Sequence, residues 1–329
     1  MAKLTEPLHG GKLQLHNRLV MPPMVTAKAD PDGHVTDSIL QYYDEKSRGG
    51  NIGLVITEHC FVNPQGRASS RQLSVADDST IDDWRRLADV LHKNGVKAAM
   101  QINHAGSAAV NGGLEIVGPS GLAYPDGQTV PVEVTQTQID EIIEDFQLAA
   151  GRAKTAGFDA VEIHSAHGYL LNQFYSPLAN FRQDEYGGGL DNRIRIHRQV
   201  IQAVRAAVGK DFAVLLRFGG CDYIKGGSTI EDSVAAALEF EKAGVDILDI
   251  SGGFCRYTNP NSSQPGYFSD MSSAVKQKVS IPVILTGGIT SAEQADKLLE
   301  SGAADLIGVG RAIYNDSDWA ANAMQTLVG

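Results

Sequence analysis

Short apolar runs recur along the chain, and the segments between them carry apolar residues at helical spacing. The runs have the length of buried parallel strands and cover residues 18–24, 53–58, 97–103, 160–164, 213–218, 247–251, 282–287 and 305–310. Between them, residues such as Trp84, Leu87 and Leu91 lie three or four positions apart and predict amphipathic helices. Eight strands that alternate with helices predict an α/β fold of the (β/α)8 TIM barrel type, because a doubly wound sheet more often has fewer strands.

The organisation of the chain indicates a single domain over residues 1–329, because no linker or low-complexity tract interrupts the alternation of strands and helices. No repeat is visible beyond that alternation. Ahead of the first strand, residues 7–18 predict a hairpin around Gly10 and Gly11, and we expect it to cap the bottom of the barrel.

Three helices are predicted to begin at capping boxes. In this motif a Ser or Thr side chain and a Glu or Gln three residues later satisfy the first free amide groups of the helix. The three pairs are Thr135 with Gln138, Ser228 with Glu231, and Thr290 with Glu293.

Three of the loops that follow strands are long, and they cover residues 105–135, 168–190 and 252–268. In a TIM barrel the loops at the carboxyl ends of the strands build the active site, whereas the loops at the other end mostly connect. We therefore expect these three loops to form the walls of a site.

Polar residues interrupt several of the predicted strands. By strand parity, Gln101 shares a face with Asn103, and Glu162 shares a face with His164. Together with Arg217, these residues must meet polar partners, because an unpaired polar group in a buried strand costs several kcal/mol. They bond either to one another as ties in the core or to a polar ligand at the barrel mouth. Their position at the ends of several strands favours the ligand.

The last two strands end in glycine turns. Gly287 and Gly288 follow the seventh strand, and Gly310 and Arg311 follow the eighth. Bare backbone amides and an arginine favour an anion, and these two loops are the usual phosphate site of a TIM barrel. Tight turns also require glycine for steric reasons, but the combination with Arg311 predicts phosphate binding.

Two histidines and a tyrosine follow the fourth strand, at His164, His167 and Tyr169. An H-x-x-H pair can bind a metal ion, but no suitable third ligand is evident nearby, so we predict no metal site. A second interpretation is that the histidines have only a structural role. The reading that we favour is that two imidazole N–H groups stabilise negative charge on a substrate oxygen while Tyr169 donates a proton.

The charge of the chain narrows the class of partner. With 28 basic and 39 acidic side chains the formal net charge is −11, which disfavours nucleic acids and acidic membrane surfaces as partners and favours a small-molecule substrate.

The cysteines and the lack of targeting signals indicate a reducing compartment. Cys60, Cys221 and Cys255 are far apart in sequence and are expected to be reduced structural thiols. The sequence shows neither a signal-peptide pattern nor an apolar run of about 20 residues, so we expect a cytoplasmic protein.

Several motifs occur together, in order and over nearly the whole chain. They are M-P-P-M at 21–24, V-N-P-Q-G-R at 62–67, Q-I-N-H-A-G at 101–106, H-S-A-H-G-Y-L-L-N-Q-F-Y-S-P at 164–177, N-x-R-x-D-x-Y-G-G at 180–188, and the T-G-G and G-V-G-R turns. In these motifs the chain resembles the Old Yellow Enzyme family of FMN-dependent oxidoreductases, also known as ene-reductases.

The resemblance implies a bound FMN at the barrel mouth. Its ring system is expected to lie beside Pro23, Met24 and Val25, with Gln101 and Arg217 on its pyrimidine side. The residues expected to hold its phosphate are Gly287, Gly288, Gly310 and Arg311. Two separate observations, the polar strand ends and the anion turns, would then have one explanation.

The resemblance also implies a ping-pong reaction in which NADH or NADPH reduces the flavin and an activated alkene is reduced in turn. His164 and His167 would hold the carbonyl or nitro oxygen of the alkene, and Tyr169 would protonate its α-carbon. Members of this family commonly form homodimers or homotetramers.

Two positions depart from the family pattern next to the expected flavin. Val25 stands where many relatives have a Cys or Thr that contacts the flavin, and His59 replaces a small residue. The imidazole of His59 could either bond to the flavin or crowd it. Ala27 stands near the position of a substrate-contacting tyrosine in some relatives.

Other functions remain open on the sequence alone. An FMN oxidoreductase could use oxygen, a quinone or a nitro compound in place of an alkene. A flavin-binding protein with little turnover would not need Tyr169 and the two histidines. A phosphosugar barrel without flavin would explain the glycine turns but not Gln101 and Arg217.

Overall fold

The computed structural model describes residues 3–110, 112–123 and 129–328. Eight parallel strands close into a barrel in which β1 pairs with β11 as well as β2, and β2 pairs with β4. These strands are β1 (Leu19–Met21), β2 (Leu54–Ile56), β4 (Lys97–Asn103), β7 (Ala160–Ser165), β8 (Ala213–Cys221), β9 (Ile247–Gly252), β10 (Val283–Thr286) and β11 (Leu306–Gly308). The predicted (β/α)8 TIM barrel is confirmed.

Three further strands are short and lie in the loops. They are β3 (Cys60–Phe61), which pairs with β4, and the parallel pair β5 (Val117–Gly118) and β6 (Val132–Glu133). The pair gives part of the long loop at residues 105–135 its own hydrogen-bonded structure.

Helices surround the barrel and follow its strands along the chain. They are α1 (Asp37–Ser47), α2 (Ile81–Lys93), α3 (Gln136–Thr155), α4 (Leu170–Tyr175), α5 (Leu190–Arg193), α6 (Arg195–Val208), α7 (Ile230–Ala243), α8 (Ser269–Lys276), α9 (Ala292–Glu300), α10 (Arg311–Asn315) and α11 (Trp319–Val328). Within the described residues, no helix is both long enough and apolar enough to cross a bilayer.

The apolar side chains form two layers that follow the alternation of the strands. Val20 points into the barrel, whereas its neighbours Leu19 and Met21 point outward toward the helices. The same alternation places Leu54 inside and Val55 outside. Both faces of the sheet are therefore buried, which explains why the strands appear in the sequence as continuous apolar runs.

The N-terminal hairpin fills the bottom of the barrel, as the sequence predicts. Leu8 and Leu15 pair as antiparallel neighbours on either side of the turn. Their side chains and that of Leu13 are buried in one cluster with inward-facing residues of the strands, such as Val20 and Leu306. The apolar side chains of the hairpin thus fill the space that the strands leave inside the bottom of the barrel.

The strand ends differ from the predicted bounds for identifiable reasons. β1 ends at Met21 rather than at residue 24, because Pro22 and Pro23 cannot donate backbone hydrogen bonds. β8 continues to Cys221, beyond the predicted end at residue 218, with an irregularity in its pairing at Gly219. A Cβ on Gly219 would lie 2.5 Å from the carbonyl oxygen of Gly252, so the close approach of the two strands requires glycine.

One predicted capping box is confirmed, the pair Thr135 and Gln138 at the start of α3. The prediction of Ser228 with Glu231 is wrong, since the box at α7 is formed one residue later by Thr229 and Asp232. The backbone N–H of Ser228 donates instead to Asp222 Oδ2 at 2.8 Å. This bond holds Ser228 in the turn that precedes the helix.

The prediction of Thr290 with Glu293 is also wrong by one position. The box at α9 is formed by Ser291 and Gln294. The N–H of Thr290 does donate to Gln294 Oε1 at 2.9 Å, so Thr290 adds to the cap from the position before it.

We expect Leu15→Ala to lower the free energy of unfolding by about 2 to 5 kcal/mol, because it opens a cavity in the barrel interior. Urea unfolding followed by circular dichroism measures the effect. Leu148→Ala is the matched control, since Leu148 is 46% exposed on α3 and its truncation should cost little. Equal effects of the two changes would contradict a packed role for the hairpin.

Candidate active site

A cavity of about 990 Å³ opens at the carboxyl ends of the barrel strands. Its walls include residues of all three long loops, among them Ala108, Gly168 and Phe254. All of the residues that the sequence predicted for catalysis or cofactor binding line it, namely Pro23, Met24, Val25, His59, Gln101, His164, His167, Tyr169, Arg217, Gly287, Gly288, Gly310 and Arg311. With Ser251 at the end of β9, the fold brings residues from all eight strand ends to one place.

Polar side chains from neighbouring strands form the floor of the cavity. Gln101 Nε2 donates to Glu162 Oε1 at 2.7 Å, and Arg217 Nε lies 3.6 Å from Asp249 Oδ2. All four side chains are buried. Burial raises the pKa of Glu162, as does the nearby charge of Asp249, and the charge of Arg217 opposes the shift. Burial also raises the pKa of Asp249, again against the effect of Arg217.

The two interpretations of these strand residues are therefore compatible. The hydrogen bond from Gln101 to Glu162 and the ion pair of Arg217 with Asp249 are ties in the core. Yet Gln101 Oε1 and Arg217 Nε are buried and have no hydrogen-bond partner among the described residues, although both side chains line the cavity. A buried polar atom without a partner is costly, so the floor is suited to a polar ligand.

The glycine turns line the cavity and pack closely against neighbouring side chains. Gly288 has a φ of 66°, and a Cβ on it would lie 2.7 Å from the ring of Tyr267. A Cβ on Gly310 would lie 2.9 Å from the sulfur of Met24. Side chains are thus excluded at both turns, and the backbone and Arg311 face the cavity.

The H-x-x-H segment makes a sharp turn directly after β7. His167 has a φ of 61°, a left-handed conformation that is unusual for a residue with a side chain and is typical of functional sites. The backbone N–H of Ala166 donates to His164 Nδ1 at 3.2 Å, which places the proton of the neutral ring on Nε2. His167 Nε2 is 2.7 Å from Ser251 Oγ, and this contact leaves Nδ1 available.

Two amide side chains of α4 hold this turn in place. Asn172 Oδ1 accepts from the N–H of Gly168 at 2.8 Å, and its Nδ2 donates to the carbonyl of Gly219 at 3.2 Å. Gln173 Nε2 donates to the carbonyls of Gly168 and Ala105 at 2.7 and 2.9 Å. These bonds compensate for the strained backbone at the turn and fix the direction of the two imidazoles.

The imidazoles of the site are neutral at physiological pH. Burial holds the pKa of His164 and of His167 well below the usual range, and the positive charge of Arg217 adds to both shifts. The two ring centroids lie 5.1 Å apart in an edge-to-face arrangement. Both rings can therefore donate hydrogen bonds to one ligand without bringing two positive charges together.

Tyr169 adds a phenol to this pair of histidines. Its ring centroid lies 5.0 Å from that of His164. Burial raises the pKa of Tyr169, while the charge of Arg256 partly opposes the shift. The phenol is therefore protonated at neutral pH and can donate a proton into the cavity.

His59 and Val25 also line the cavity. The ring of His59 lies 5.4 Å from that of Tyr169 and 6.0 Å from that of His164, measured between centroids. Burial lowers the pKa of His59 to about 4, with a further contribution from the charge of Arg217. Val25 is 48% exposed, and its aliphatic side chain can make only apolar contacts with a ligand.

Several residues of the site are absent from the sequence-based prediction. Ser251 contacts His167, and its place as a polar residue at the end of a strand was a usable signal. Gln72 bonds to His59 from an irregular loop in which no periodic pattern exists to indicate it. Among the described residues, no group of three His, Cys, Asp or Glu side chains is arranged to hold a metal ion.

Comparison with known proteins places the chain among flavin enzymes. Residues 3–328 match the model of the NADH:flavin oxidoreductase / NADH oxidase family. The chain is 39% identical over 323 residues to an NADH oxidase of Thermoanaerobacter brockii. The aligned region covers 96% of this chain but only 50% of the oxidase. It thus spans about half the length of this relative.

Two further similarities cover most of both proteins. An NADPH dehydrogenase of Clostridium acetobutylicum is 38% identical over 302 residues, with 92% of the chain and 88% of the relative covered. The structure of morphinone reductase superposes with a TM-score of 0.84 at 26% identity, covering 99% of this chain and 90% of that one. The resemblance found in the sequence motifs is confirmed.

We expect the free energy of unfolding to fall as the pH is lowered from about 6.5 toward 4. Burial lowers the pKa of His59 to about 4 and those of His104 and His197 to about 3. In this window the unfolded chain binds protons on these side chains that the native chain does not, so each contributes a slope of up to about 1.4 kcal/mol per pH unit. Urea unfolding at a series of pH values measures this dependence.

His197→Gln tests the assignment, because it removes one of the neutral buried imidazoles and should reduce the slope by about one proton. Leu148→Ala removes no titratable group and is expected to keep the original slope. A slope that does not change in His197→Gln would show that this histidine is already protonated in the folded protein.

Proposed function

The chain belongs to the NADH:flavin oxidoreductase / NADH oxidase family, and we propose that it reduces the C=C bond of α,β-unsaturated carbonyl or nitro compounds. Its class is that of an FMN-dependent oxidoreductase that uses NADH or NADPH as the reductant. The observation that carries the proposal is the grouping of two neutral imidazoles and a protonated phenol in one cavity.

The residues of the cavity fit FMN. Gln101 Oε1 and Arg217 Nε accept or donate no hydrogen bond within the described part of the chain, and they would meet polar edges of the flavin ring, which has both donors and acceptors. Gly288 and Gly310 line the cavity, where their backbone amides would bind the phosphate, and Arg311 adds a positive charge in a chain of net charge −11. When bound, FMN supplies the hydride, which it receives from NADH or NADPH in a separate first half-reaction.

The two histidines would bind and polarise the alkene. His164 offers an Nε2–H, and His167 offers the ring nitrogen that Ser251 leaves available. Donation by both to one carbonyl or nitro oxygen draws electron density from the double bond, so that the β-carbon becomes electrophilic. Negative charge on the oxygen grows along the reaction, and the interaction is therefore stronger in the transition state than in the ground state.

Tyr169 would complete the reduction by donating its phenolic proton to the α-carbon. Its raised pKa keeps the phenol protonated at neutral pH, which is the state that a proton donor requires. The short distance between its ring and that of His164 supports this role, because the α-carbon lies only two bonds from the oxygen that His164 would bind. Solvent can restore the proton after each turnover, because the cavity is open at the barrel mouth.

A second candidate keeps the cofactor but changes the electron acceptor to oxygen, a quinone or a nitro compound. The exposed Val25 favours it, because a valine cannot donate a hydrogen bond to the flavin as a Cys or Thr could. In this case the histidine pair and Tyr169 would bind the acceptor without delivering a proton to carbon.

The visible spectrum of the purified protein tests the cofactor and the reaction together. We expect a flavin band that bleaches on anaerobic addition of NADH or NADPH and returns on addition of cyclohex-2-enone. Return only with air or a quinone would support the second candidate. A colourless protein that does not take up added FMN would contradict both.

We expect Tyr169→Phe to slow the return of the flavin band with cyclohex-2-enone by about 10²-fold or more, because the proton donor is lost. Bleaching by the nicotinamide should remain within a few-fold of the original rate, since no proton from Tyr169 is needed in that step. Stopped-flow absorbance measures the two steps separately. An unchanged rate in the second step would remove Tyr169 from the role of proton donor.

A further inference from the structure

His59 makes a hydrogen bond that fixes the position of its proton. Gln72 Oε1 accepts from the backbone N–H of Ala68 at 2.6 Å, which determines the orientation of the Gln72 amide. The Nε2 of that amide therefore faces His59 and lies 2.7 Å from its Nδ1 and 3.3 Å from its carbonyl oxygen. An amide N–H can only donate, so Nδ1 of His59 is the acceptor and Nε2 carries the proton.

The remaining nitrogen of His59 is directed to the active-site cavity. The side chain lines the cavity and is only 8% exposed. Within the described residues, Nε2 makes no hydrogen bond. The ring lies edge-to-face against His164 and tilted against Tyr169, so a third neutral N–H donor stands beside the groups that bind the substrate.

We propose that His59 binds a second oxygen on the activating group of the substrate, and that the enzyme therefore prefers nitro compounds to simple ketones. This inference rests on the proposed function, in which His164 and His167 hold one oxygen. A nitro group carries a second oxygen on the same atom, which can accept from His59. A ketone has no such oxygen and leaves the donor without a partner, at a cost in binding.

Gln72 acts as a positioning residue in this arrangement. It lies buried behind His59, away from the cavity, and acts only by holding Nδ1 as an acceptor. Without it, the ring can adopt the other tautomer and present a lone pair to the substrate instead of an N–H.

The binding experiment uses the oxidised, FMN-loaded enzyme without nicotinamide, so that no turnover occurs. The dissociation constants of 1-nitrocyclohexene and cyclohex-2-enone are measured from the change in the visible flavin spectrum. We expect His59→Leu to weaken the nitro compound about fivefold relative to the ketone, as the loss of one neutral hydrogen bond implies. His59→Gln keeps an N–H donor and should retain part of the preference, and the FMN content of each variant reports folding.

His164→Ala separates this inference from the proposed function. It is expected to weaken both ligands. If it weakens neither, the assignment of the histidine pair fails, and the inference about His59, which needs that pair, fails with it. If His164→Ala weakens both ligands but His59→Leu changes them equally, or changes the flavin spectrum of the free enzyme instead, His59 bonds to the flavin and the inference is overturned.

The role of Gln72 is tested by Gln72→Met with ¹⁵N-labelled histidine. We expect the ¹⁵N signals of His59 to show a protonated Nε2 in the original enzyme and a mixture of tautomers in the variant. The preference for the nitro compound should fall in parallel. An unchanged tautomer in Gln72→Met would show that another contact fixes the ring.

Discussion

The burial of titratable side chains around the positive charge of Arg217, at the floor of the cavity, is the constraint on which the chemistry of the site depends. A buried guanidinium is tolerated only with compensation, and Asp249 lies 3.6 Å away beneath it. Burial lowers the pKa values of His59, His164 and His167, and the charge of Arg217 adds to each of these shifts. His164 can then lie within about 6 Å of both His59 and His167 with all three rings as uncharged donors, an arrangement that mutual repulsion would prevent if they were protonated.

The barrel supplies the geometry in which this charge can act. Parallel strands direct all their carboxyl ends to one side, so residues far apart in sequence, such as Gln101 and Gly288, face a common cavity. The opposite end needs no chemistry and is filled with the apolar side chains of the hairpin around Leu13. Stability and function are thus separated along the barrel axis, and the loops at the mouth can vary without disturbing the packed base.

Much of this arrangement is encoded in short stretches of sequence. The strands were predictable because both faces of a buried parallel sheet are apolar, and His164 was predictable because a polar residue in such a strand requires a partner. The tautomer of His59 was not, because it depends on a contact with Gln72 across an irregular loop. The start of α7 was missed by one residue for a similar reason. Ser228 and Thr229 both carry a hydroxyl that can cap a helix, and the hydrogen bond that the N–H of Ser228 donates to Asp222 holds Ser228 in the preceding turn.

The closure of the barrel has a consequence for how the chain acquires its structure during synthesis. Strand β1 pairs with β11, and the N–H of Leu4 donates to Asp296, 292 positions further on. Leu15 likewise needs Leu306 to complete the cluster at the bottom of the barrel. The leucines of the hairpin therefore remain exposed until almost all of the described chain has been synthesised. At about 5 to 20 residues per second, this interval lasts tens of seconds, and it is the period in which a chaperone has the most to protect.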